Sequence, residues 1–508
     1  MHTPLQRNTL LRQHARGEND LLLRDITEFC RRHAMAESTF GRRAVNDGKF
    51  VARLRFGGGV TTHTVKRVRA FMSREMQARP KPSLTPLHPV ARPDTPIASP
   101  VERFNAMKAT EASIALSDTP AVSTKPNAAE ENSPHVHFRF YDNRQKYLLF
   151  VNTCAEKQVV TQRIEMELDQ ITPHAPAMRV FDAGVGDGTV LTRVMRSMHD
   201  RLPTVPFYIV GKEISLEDVR LALDKVPDRL YEHPATVFVM TNMHYPEAPW
   251  LRPNTLAAAS GLVWKELTLK GQTAAAFDRQ IKDLDSFLST NWTARISPSS
   301  GNPLYERPVV LVLYREDHKL LLESVKPQQG AVRADFDLVI ASQPYRARAP
   351  VEFKALKVVA PLVRSLGPGG RLIGIHSHGA DPGLEIVQKI WPGEHPFTTD
   401  RHQLLKATRQ VLGAESRGFN FSAYSDQRSI FRYEMHTLPS EVSSSIGTST
   451  LLAAWNAAVY VAQIEDPRLE AEMAGSRYLE ATSEVLLRHG KLWFLNESYV
   501  ISRHRFTR

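Results

Sequence analysis

The residues best suited to chemistry in this 508-residue chain form an acidic, glycine-rich loop after a short apolar run. Met178–Phe181 is the apolar run, and residues 189–198 after the loop have the pattern of a helix. Glycines let the backbone turn tightly and approach a bound molecule, and a helix N-terminus adds free N–H groups and a positive dipole end. The order of strand, loop and helix therefore predicts a ligand site. Its candidate contacts are Asp182, Gly184, Gly186, Asp187 and Gly188.

The spacing of this loop separates two classes of ligand. Dinucleotide-binding loops are spaced G-x-G-x-x-G and hold a pyrophosphate, whereas residues 182–188 are spaced D-x-G-x-G-x-G. An acid at the strand tip repels pyrophosphate but suits a cationic sulfonium and amino group. The segment resembles motif I of class I S-adenosylmethionine-dependent methyltransferases. The resemblance implies a Rossmann-like fold, S-adenosyl-L-methionine as cofactor and methyl transfer as the reaction. A structural glycine turn in another α/β protein is the alternative.

Two further apolar runs end in polar residues in the order that this family has. Residues 207–215 predict a strand ending at Glu213, and residues 235–243 predict a strand ending near Asn242. The resemblance implies that Glu213 accepts the ribose hydroxyls and that Asn242 reads the adenine edge. A helix-capping acid and a turn residue are the alternatives for the two positions.

The next two predicted strands bear on the acceptor. Residues 335–346 predict a fourth strand with Ser342, Gln343, Pro344 and Tyr345 at its end, and residues 365–379 predict a fifth. The resemblance implies a nitrogen acceptor: the first side chain and a backbone carbonyl would align the amino group, and the aromatic face would stack on a planar substrate. Gln343 departs from the family pattern, and a plain strand exit is the alternative.

The fifth strand also carries two alternating histidines, His376 and His378. Paired histidines bind metals or act as bases in some sites. No third ligand stands at a suitable spacing, so we interpret them as ordinary polar residues and expect no metal site.

The elements that position these residues define an α/β protein. We predict a Rossmann-like, seven-stranded methyltransferase sheet with a large insertion, plus a small all-α N-terminal module and a disordered linker. The helical module covers 18–77, a flexible Pro-rich linker covers 78–134, and the methyltransferase domain covers 135–508. Within that domain we expect the insertion at about 245–334 and a C-terminal extension at about 400–508.

The insertion and the extension match no family pattern, but both contain strand signals. PVVLVLYREDHKLLLESV predicts a β-hairpin that turns at Glu316-Asp317. RSIFRYEMHTLP and KLWFLNESYVISR are expected to supply strands six and seven.

The N-terminal module is strongly basic. Residues 1–79 contain 16 Lys and Arg and 7 Asp and Glu, a net charge of +9 within a total of +11. The pattern of a short helix, a Gly-containing turn, a basic second helix and a closing helix resembles a helix-turn-helix of the lambda-repressor and Cro type. The resemblance implies contact with DNA through Lys49, Arg53 and Arg55. A solvated basic helical bundle is the alternative.

Bulk composition excludes several classes of protein. The chain has two cysteines, too few for a disulfide framework, and no run of about 18 apolar residues, so we expect a cytoplasmic protein without a membrane span. The leading interpretation is a methyltransferase acting on a nitrogen of an unidentified acceptor. The alternatives are a DNA-binding regulator with a ligand-sensing, methyltransferase-like domain, or a DNA methyltransferase. A homodimer is expected if the N-terminal resemblance holds.

Overall fold

The computed structural model of the chain describes residues 22–33, 35–45, 47–48, 50–55, 62–77, 144–297, 302–437, 441–442 and 446–505. The chain divides into two compact units, Met1–Asn127 and Ala128–Arg508. The predicted linker, 78–134, lies outside the described residues, so its flexibility stays a prediction.

The described part of the N-terminal unit is all helical, as expected. Its helices are α1 (22–32), α2 (Glu37–Val45), α3 (Phe50–Arg55) and α4 (Thr62–Gln77). Apolar side chains from all four helices form one core, with Ile26, Phe40 and Val68 fully buried. The turn between α2 and α3 runs close to α2, because a Cβ on Gly41 would lie 2.3 Å from the carbonyl oxygen of Asp47.

The second unit contains helices on both sides of one large sheet. The helices before the middle of the chain are α5 (Arg144–Thr153), α6 (Glu156–Leu168), α7 (Thr189–Arg201), α8 (Leu216–Leu223), α9 (Val226–Glu232), α10 (Leu256–Ser260), α11 (Ala274–Lys282) and α12 (Asp285–Asn291). The later helices are α13 (Val351–Lys354), which continues as a π-helical turn (Ala355–Val359), α14 (Ala360–Arg364), α15 (Pro382–Ile390), α16 (Arg401–Leu412), α17 (Asp426–Ser429), α18 (Thr448–Val461), α19 (Asp466–Met473) and α20 (Arg477–His489). Short 3₁₀ turns lie at Ala248–Trp250, Glu316–His318 and Gly413–Gly418.

The described strands fall into a large sheet and a small hairpin. They are β1 (Met178–Asp182), β2 (Phe207–Lys212), β3 (Thr236–Thr241), β4 (Val263–Leu269), β5 (Ala294–Ile296), β6 (Pro303–Tyr305), β7 (Val309–Arg315), β8 (Phe336–Ser342), β9 (Leu366–Ser377), β10 (Phe419–Ser422), β11 (Ile430–Glu434) and β12 (Trp493–Arg503). The sheet order is β10-β12-β9-β8-β1-β2-β3-β7-β4, β11 pairs with the other half of the same edge of β12, and β5 pairs with β6 alone.

Five neighbouring strands, β3, β2, β1, β8 and β9, run parallel. From β1 the chain builds outward to β2 and β3 on one side and later to β8 and β9 on the other. Strand order therefore reverses between β1 and β8, and the carboxyl ends at such a reversal form the usual ligand crevice of an open α/β sheet. This arrangement confirms the predicted Rossmann-like α/β class and the five strand positions around the loop.

The sheet is larger than expected. It has ten described strands and not seven, because the insertion adds β4 and β7 beside β3 and the chain adds both β10 and β11 beside β12. The predicted hairpin at Glu316-Asp317 is wrong. All seven residues of β7 are buried, and both edges of β7 are already paired, antiparallel with β3 and parallel with β4. The following segment therefore has no edge to join and begins with the 3₁₀ turn.

The sheet carries a hydrophobic core on each face. Successive residues of a strand point to opposite faces, so Val180 belongs to one cluster and Phe181 to the other. A third cluster packs α5 against the helices of the C-terminal extension. This packing places α5 beside α18.

Within the described ranges, none of the helices combines the length and the apolar character needed to cross a membrane. No group of three or more His, Cys, Asp or Glu residues in those ranges is placed to hold a metal ion. Cys30 and Cys154 are both buried and unbridged.

Gly374 offers a test of how β9 and β12 fit together. The ring of Tyr499 lies against Gly374, and a Cβ there would be 2.0 Å from the ring carbon Cζ. We expect Gly374→Ala to lower the free energy of unfolding by roughly 3 kcal/mol, because the fully buried ring of Tyr499 must shift to make room. The measurement is chemical denaturation of the full chain.

Gly393→Ala is the matched control. A Cβ at Gly393 would meet nothing within 4 Å, so its unfolding free energy should change by no more than about 0.5 kcal/mol. Equal effects of the two substitutions would contradict the packing described.

Candidate active site

The glycine loop between β1 and α7 has the backbone geometry that its sequence predicts. Gly186 and Gly188 have positive φ values of 53° and 79°, a region that side chains disfavour. A Cβ on Gly188 would also lie 2.8 Å from Cα of Ala222 in α8. The glycine at 188 therefore serves helix packing as well as the turn.

Asp182, the acid at the tip of β1, is 2% exposed. Its Oδ1 accepts a hydrogen bond from the Gly184 N–H at 3.0 Å. Burial raises the pKa of Asp182 to about 7, against the lowering effect of that hydrogen bond and of Lys157. The carboxyl group thus lies behind the loop and holds its shape, and the cavity wall itself is formed by Gly184 and Gly186.

Glu213 directly follows β2 and ties the two strand ends together. Its Oε2 accepts from the Gly186 N–H at 2.9 Å, and its Oε1 accepts from the N–H groups of Ile214 and Ser215 at 2.7 and 2.9 Å. Glu213 also lines the cavity. The sequence predicts Glu213 as a site residue, and the structure brings it to the loop.

One cavity of about 630 Å³ opens at the carboxyl ends of β1, β2 and β8. Around the glycine loop it is lined by Gly184, Gly186, Glu213, Ile214, Ser215 and Asp218. Residues 342–346 at the end of β8 also line it, and the Ser342 carbonyl oxygen would lie 3.9 Å from a Cβ on Gly184. Aromatic rings form much of the remaining wall: Tyr147, Phe150, Tyr245, Phe353, Tyr433 and Tyr460. Its volume is typical of a small-molecule site.

Asp187 does not line the cavity. Its carboxylate accepts from Thr189 Oγ1 and pairs with Lys225 Nζ, and its Oδ1 is 3.3 Å from the hydroxyl of Tyr147. Burial acts to raise its pKa, but Lys157, Thr189 and Lys225 together lower it. Asp187 therefore fixes the loop to α5 and to the segment after α8.

Asn242 also lies outside the cavity wall and is fully buried. Its Nδ2 donates to the carbonyl of Arg307 at 2.8 Å, and its Oδ1 accepts from the N–H of Val309 at 2.8 Å. Both ends of the amide are thus engaged with the backbone that leads into β7. These contacts support the alternative of a structural turn residue for Asn242.

The end of β8 brings three of the predicted acceptor residues to the cavity. Ser342 lines the cavity, and its hydroxyl forms no hydrogen bond with the part of the chain that the structure describes. Gln343 has a positive φ of 49° and donates through Nε2 to Ser377 Oγ and Asn496 Oδ1. The carbonyl of Pro344 accepts from the hydroxyl of Tyr245 at 2.6 Å.

Tyr345 lines the same cavity, and neighbouring side chains contact both its hydroxyl and its ring. It is 7% exposed, its hydroxyl is 2.8 Å from Nδ1 of His376, and the ammonium of Lys354 lies 5.2 Å from its ring centroid. Burial raises the pKa of Tyr345 well above its ordinary value, so the hydroxyl keeps its proton. One ring face is thus engaged by a cation from α13.

Sequence reasoning missed the aromatic wall contributed by distant segments. Tyr147 comes from α5, Tyr433 from β11 and Tyr460 from α18, and the rings of Tyr147 and Tyr460 have centroids 6.1 Å apart. Their positions follow from tertiary packing of the extension onto α5. No local pattern in the sequence distinguishes them from ordinary core residues.

The predicted DNA contacts of the N-terminal unit are only partly described. Lys49 lies outside the described residues. Arg53 pairs with Asp47 at 2.6 Å, and Arg55 pairs with Glu37 at 2.6 Å. The side chains of Arg53 and Arg55 are 66% and 50% exposed. Each arginine therefore pairs with a carboxylate at the surface of the unit, which partly balances its charge.

No protein-family model matches this chain, and no curated protein matches it. Similar solved structures include a geranyl diphosphate methyltransferase bound to GPP and sinefungin, with 11% identity over 67% of this chain and 77% of that chain and a TM-score of 0.26. A loganic acid methyltransferase with SAH has 9% identity over 71% of this chain and 94% of that chain, at a TM-score of 0.24. Phospholethanolamine N-methyltransferase 2 of Haemonchus contortus has 9% identity over 67% and 52%, at a TM-score of 0.22. Superpositions this loose transfer neither a substrate nor a residue role.

Substitution of Asn242 separates its two predicted roles. Asn242→Ala leaves a buried carbonyl and a buried N–H unpaired, which should lower the free energy of unfolding by about 2–4 kcal/mol. If the amide is structural, the folded variant binds S-adenosylhomocysteine within about 3-fold of the wild type, as measured by calorimetry. A loss of binding with unchanged stability would instead support the adenine-reading role.

Proposed function

We propose that the Ala128–Arg508 unit is an S-adenosylmethionine-dependent methyltransferase that acts on a small acceptor. The main support is that the glycine loop and Glu213 share one cavity with Ser342 and Tyr345. A donor on the loop would therefore have an acceptor region beside it. Methyl transfer from a sulfonium needs alignment of donor and acceptor more than any other catalytic device.

The charge around the glycine loop supports a cationic ligand. Glu156, Glu213 and Asp218 line the cavity and outnumber the neighbouring Lys157 and Lys212. Burial and, to a smaller extent, repulsion from Glu213 raise the pKa of Asp218 to about 7. Burial and a nearby carboxylate make such a carboxyl group costly to ionise, and a positive charge bound nearby stabilises its ionised form.

The chain's residues have distinct roles in this proposal. Gly184 and Gly186 let the donor approach the backbone, and Glu213 accepts hydrogen bonds from its ribose hydroxyls. The bound donor supplies an activated methyl group. Ser342 offers its hydroxyl to the acceptor, and the aromatic wall excludes water from the space between the two.

A nitrogen acceptor remains part of the proposal. Ser342 and the residues that follow it line the cavity, and hydroxyl and carbonyl oxygens align an amino group by accepting its hydrogen bonds. One of these backbone oxygens, the Pro344 carbonyl, is already occupied, because it accepts a hydrogen bond from the Tyr245 hydroxyl. A volume of about 630 Å³ must hold donor and acceptor together, which favours a small molecule over a nucleic-acid duplex.

DNA binding by the N-terminal unit and a homodimer stay separate predictions. A DNA-binding regulator would bind the donor without turnover, and a DNA methyltransferase would transfer methyl groups to DNA. A methyl-transfer screen with DNA, tRNA, protein and small-molecule pools distinguishes these alternatives from the proposal.

Glu213→Gln tests donor binding beside the glycine loop. A glutamine has only one carbonyl oxygen, so it cannot accept on both sides as Glu213 does. We expect the affinity for S-adenosylmethionine to fall at least about 10-fold in calorimetry, which corresponds to about 1.4 kcal/mol.

Glu217→Gln is the matched control for this experiment. Glu217 lies four residues further on in α8, pairs with Arg220 and does not line the cavity. Its substitution should leave the donor affinity within about 2-fold. Wild-type protein with no affinity for the donor or for its demethylated product would contradict the proposed function.

The raised pKa values of Asp182 and Asp218 predict a pH dependence of donor binding. Below about pH 7 both carboxyls are largely protonated and neutral, and above it they are ionised and attract the donor's positive charge. Donor affinity should therefore rise by about 10-fold or more from pH 6 to pH 8. Asp218→Asn should flatten this rise, whereas an affinity of the wild type that does not change with pH would count against cation recognition.

A further inference from the structure

A buried chain of hydrogen-bonding groups leads from Tyr345 in the cavity wall into the protein. The Tyr345 hydroxyl is 2.8 Å from His376 Nδ1, and His376 Nε2 is 2.8 Å from Glu497 Oε1. Tyr345, His376 and Glu497 are 7%, 5% and 1% exposed. They come from the loop after β8, from β9 and from β12, so three different elements align them.

The protonation of this chain follows from its chemistry. Burial acts to raise the pKa of Glu497, but the hydrogen bond from His376 and the neighbouring Arg401 hold it at about 2. An ionised carboxylate only accepts, so His376 Nε2 carries the proton and donates it. With Nε2 as the donor, the Nδ1 lone pair accepts from the Tyr345 O–H, and the phenolic oxygen keeps a lone pair that can accept another hydrogen bond.

Several charged and titratable groups face His376 and its partners. The Arg401 guanidinium and backbone N–H of α16 both bond to Glu497, at 3.0 and 2.9 Å. His378 Nδ1 lies 3.8 Å from Glu497 Oε2, and the ring of Tyr499 on β12 has its centroid 5.9 Å from that of His376. Arg401 also pairs with the exposed Asp426, and Lys354 faces Tyr345.

We propose that Tyr345, His376 and Glu497 form a proton-accepting relay for the acceptor of methyl transfer. This inference rests on the proposed function. Tyr345 is the catalytic residue, because it lines the cavity. His376 and Glu497 are positioning residues that act through it.

The proposed step transfers one methyl group and two protons. The bond from sulfur to the methyl carbon breaks and its electron pair stays on sulfur, while a lone pair of the acceptor atom forms the new bond to carbon. The acceptor's proton passes to the oxygen of Tyr345, and the phenolic proton passes to Nδ1 of His376. The positive charge that leaves sulfur thus ends on the imidazolium, next to the Glu497 carboxylate.

The relay selects a class of acceptor. It serves an acceptor whose attacked atom loses a proton as it gains the methyl group, such as an amine nitrogen, a hydroxyl or a thiol. A tertiary amine or a thioether has no such proton and would gain nothing from the relay.

Tyr345→Phe in the full chain tests the relay with little effect on packing. The assay uses S-adenosylmethionine with two pools of acceptors, one of phenols, primary and secondary amines and thiols, and one of tertiary amines and thioethers. We expect wild-type product from the first pool. Tyr345→Phe and His376→Asn should lower kcat about 100-fold, with KM within about 3-fold and a changed pH profile of kcat.

His378→Gln is the matched control, since it lies near Glu497 but does not contact Tyr345. It should keep the wild-type pH profile and at least half of kcat. A readout without turnover is ring-nitrogen NMR of the histidines with S-adenosylhomocysteine bound. It should show His376 as the Nε2–H tautomer, with an Nδ1 resonance that shifts in Tyr345→Phe.

The two proposals fail in different ways. If the wild type does not bind S-adenosylhomocysteine, the proposed function fails and the relay with it. If it binds, the relay alone is overturned by an unchanged kcat and pH profile in Tyr345→Phe, by the Nδ1–H tautomer of His376, or by product from the second pool only. Binding without product from either pool overturns turnover and therefore the relay.

Discussion

The hydrogen bond from the Gly186 N–H to the Glu213 carboxylate is the contact on which the site depends. Two parallel strands place their carboxyl ends side by side, but strand pairing stops at those ends and leaves the loops to find their own conformation. The Glu213 carboxylate bridges the two ends by accepting from three N–H groups. It fixes the loop backbone at a position where Glu213 also lines the cavity.

Two kinds of residue line the cavity. Glycine backbone and carboxylates meet around the loop, and burial raises the pKa of Asp218 there. Aromatic rings form much of the remaining wall, and His376 and Glu497 lie behind one of them, Tyr345. A cation bound near the carboxylates would relieve the repulsion between them, whereas an apolar group fits the aromatic wall. The N-terminal unit carries most of the net positive charge, which leaves the second unit nearly neutral.

The sequence allowed the central strands and the loop to be located, because uninterrupted apolar runs ending in acids or glycines are local patterns. It also indicated Glu213 and Ser342, both of which line the cavity. It could not reveal that the Asn242 amide is engaged with the backbone before β7, or that β7 has both edges occupied. Tyr147 and Tyr460 meet across more than 300 residues of sequence, and such a contact depends on the packing of whole helices.

The position of β12 along the chain has a consequence for biosynthesis. β12 follows every other described strand, and it alone supplies Glu497 and the ring that fills the space above Gly374. A nascent chain emerging from the ribosome can form the glycine loop and the five parallel strands before β12 exists. Until β12 adds its antiparallel pairing, His376 has no carboxylate partner and β9 has an unpaired edge, which is the state most exposed to misassembly.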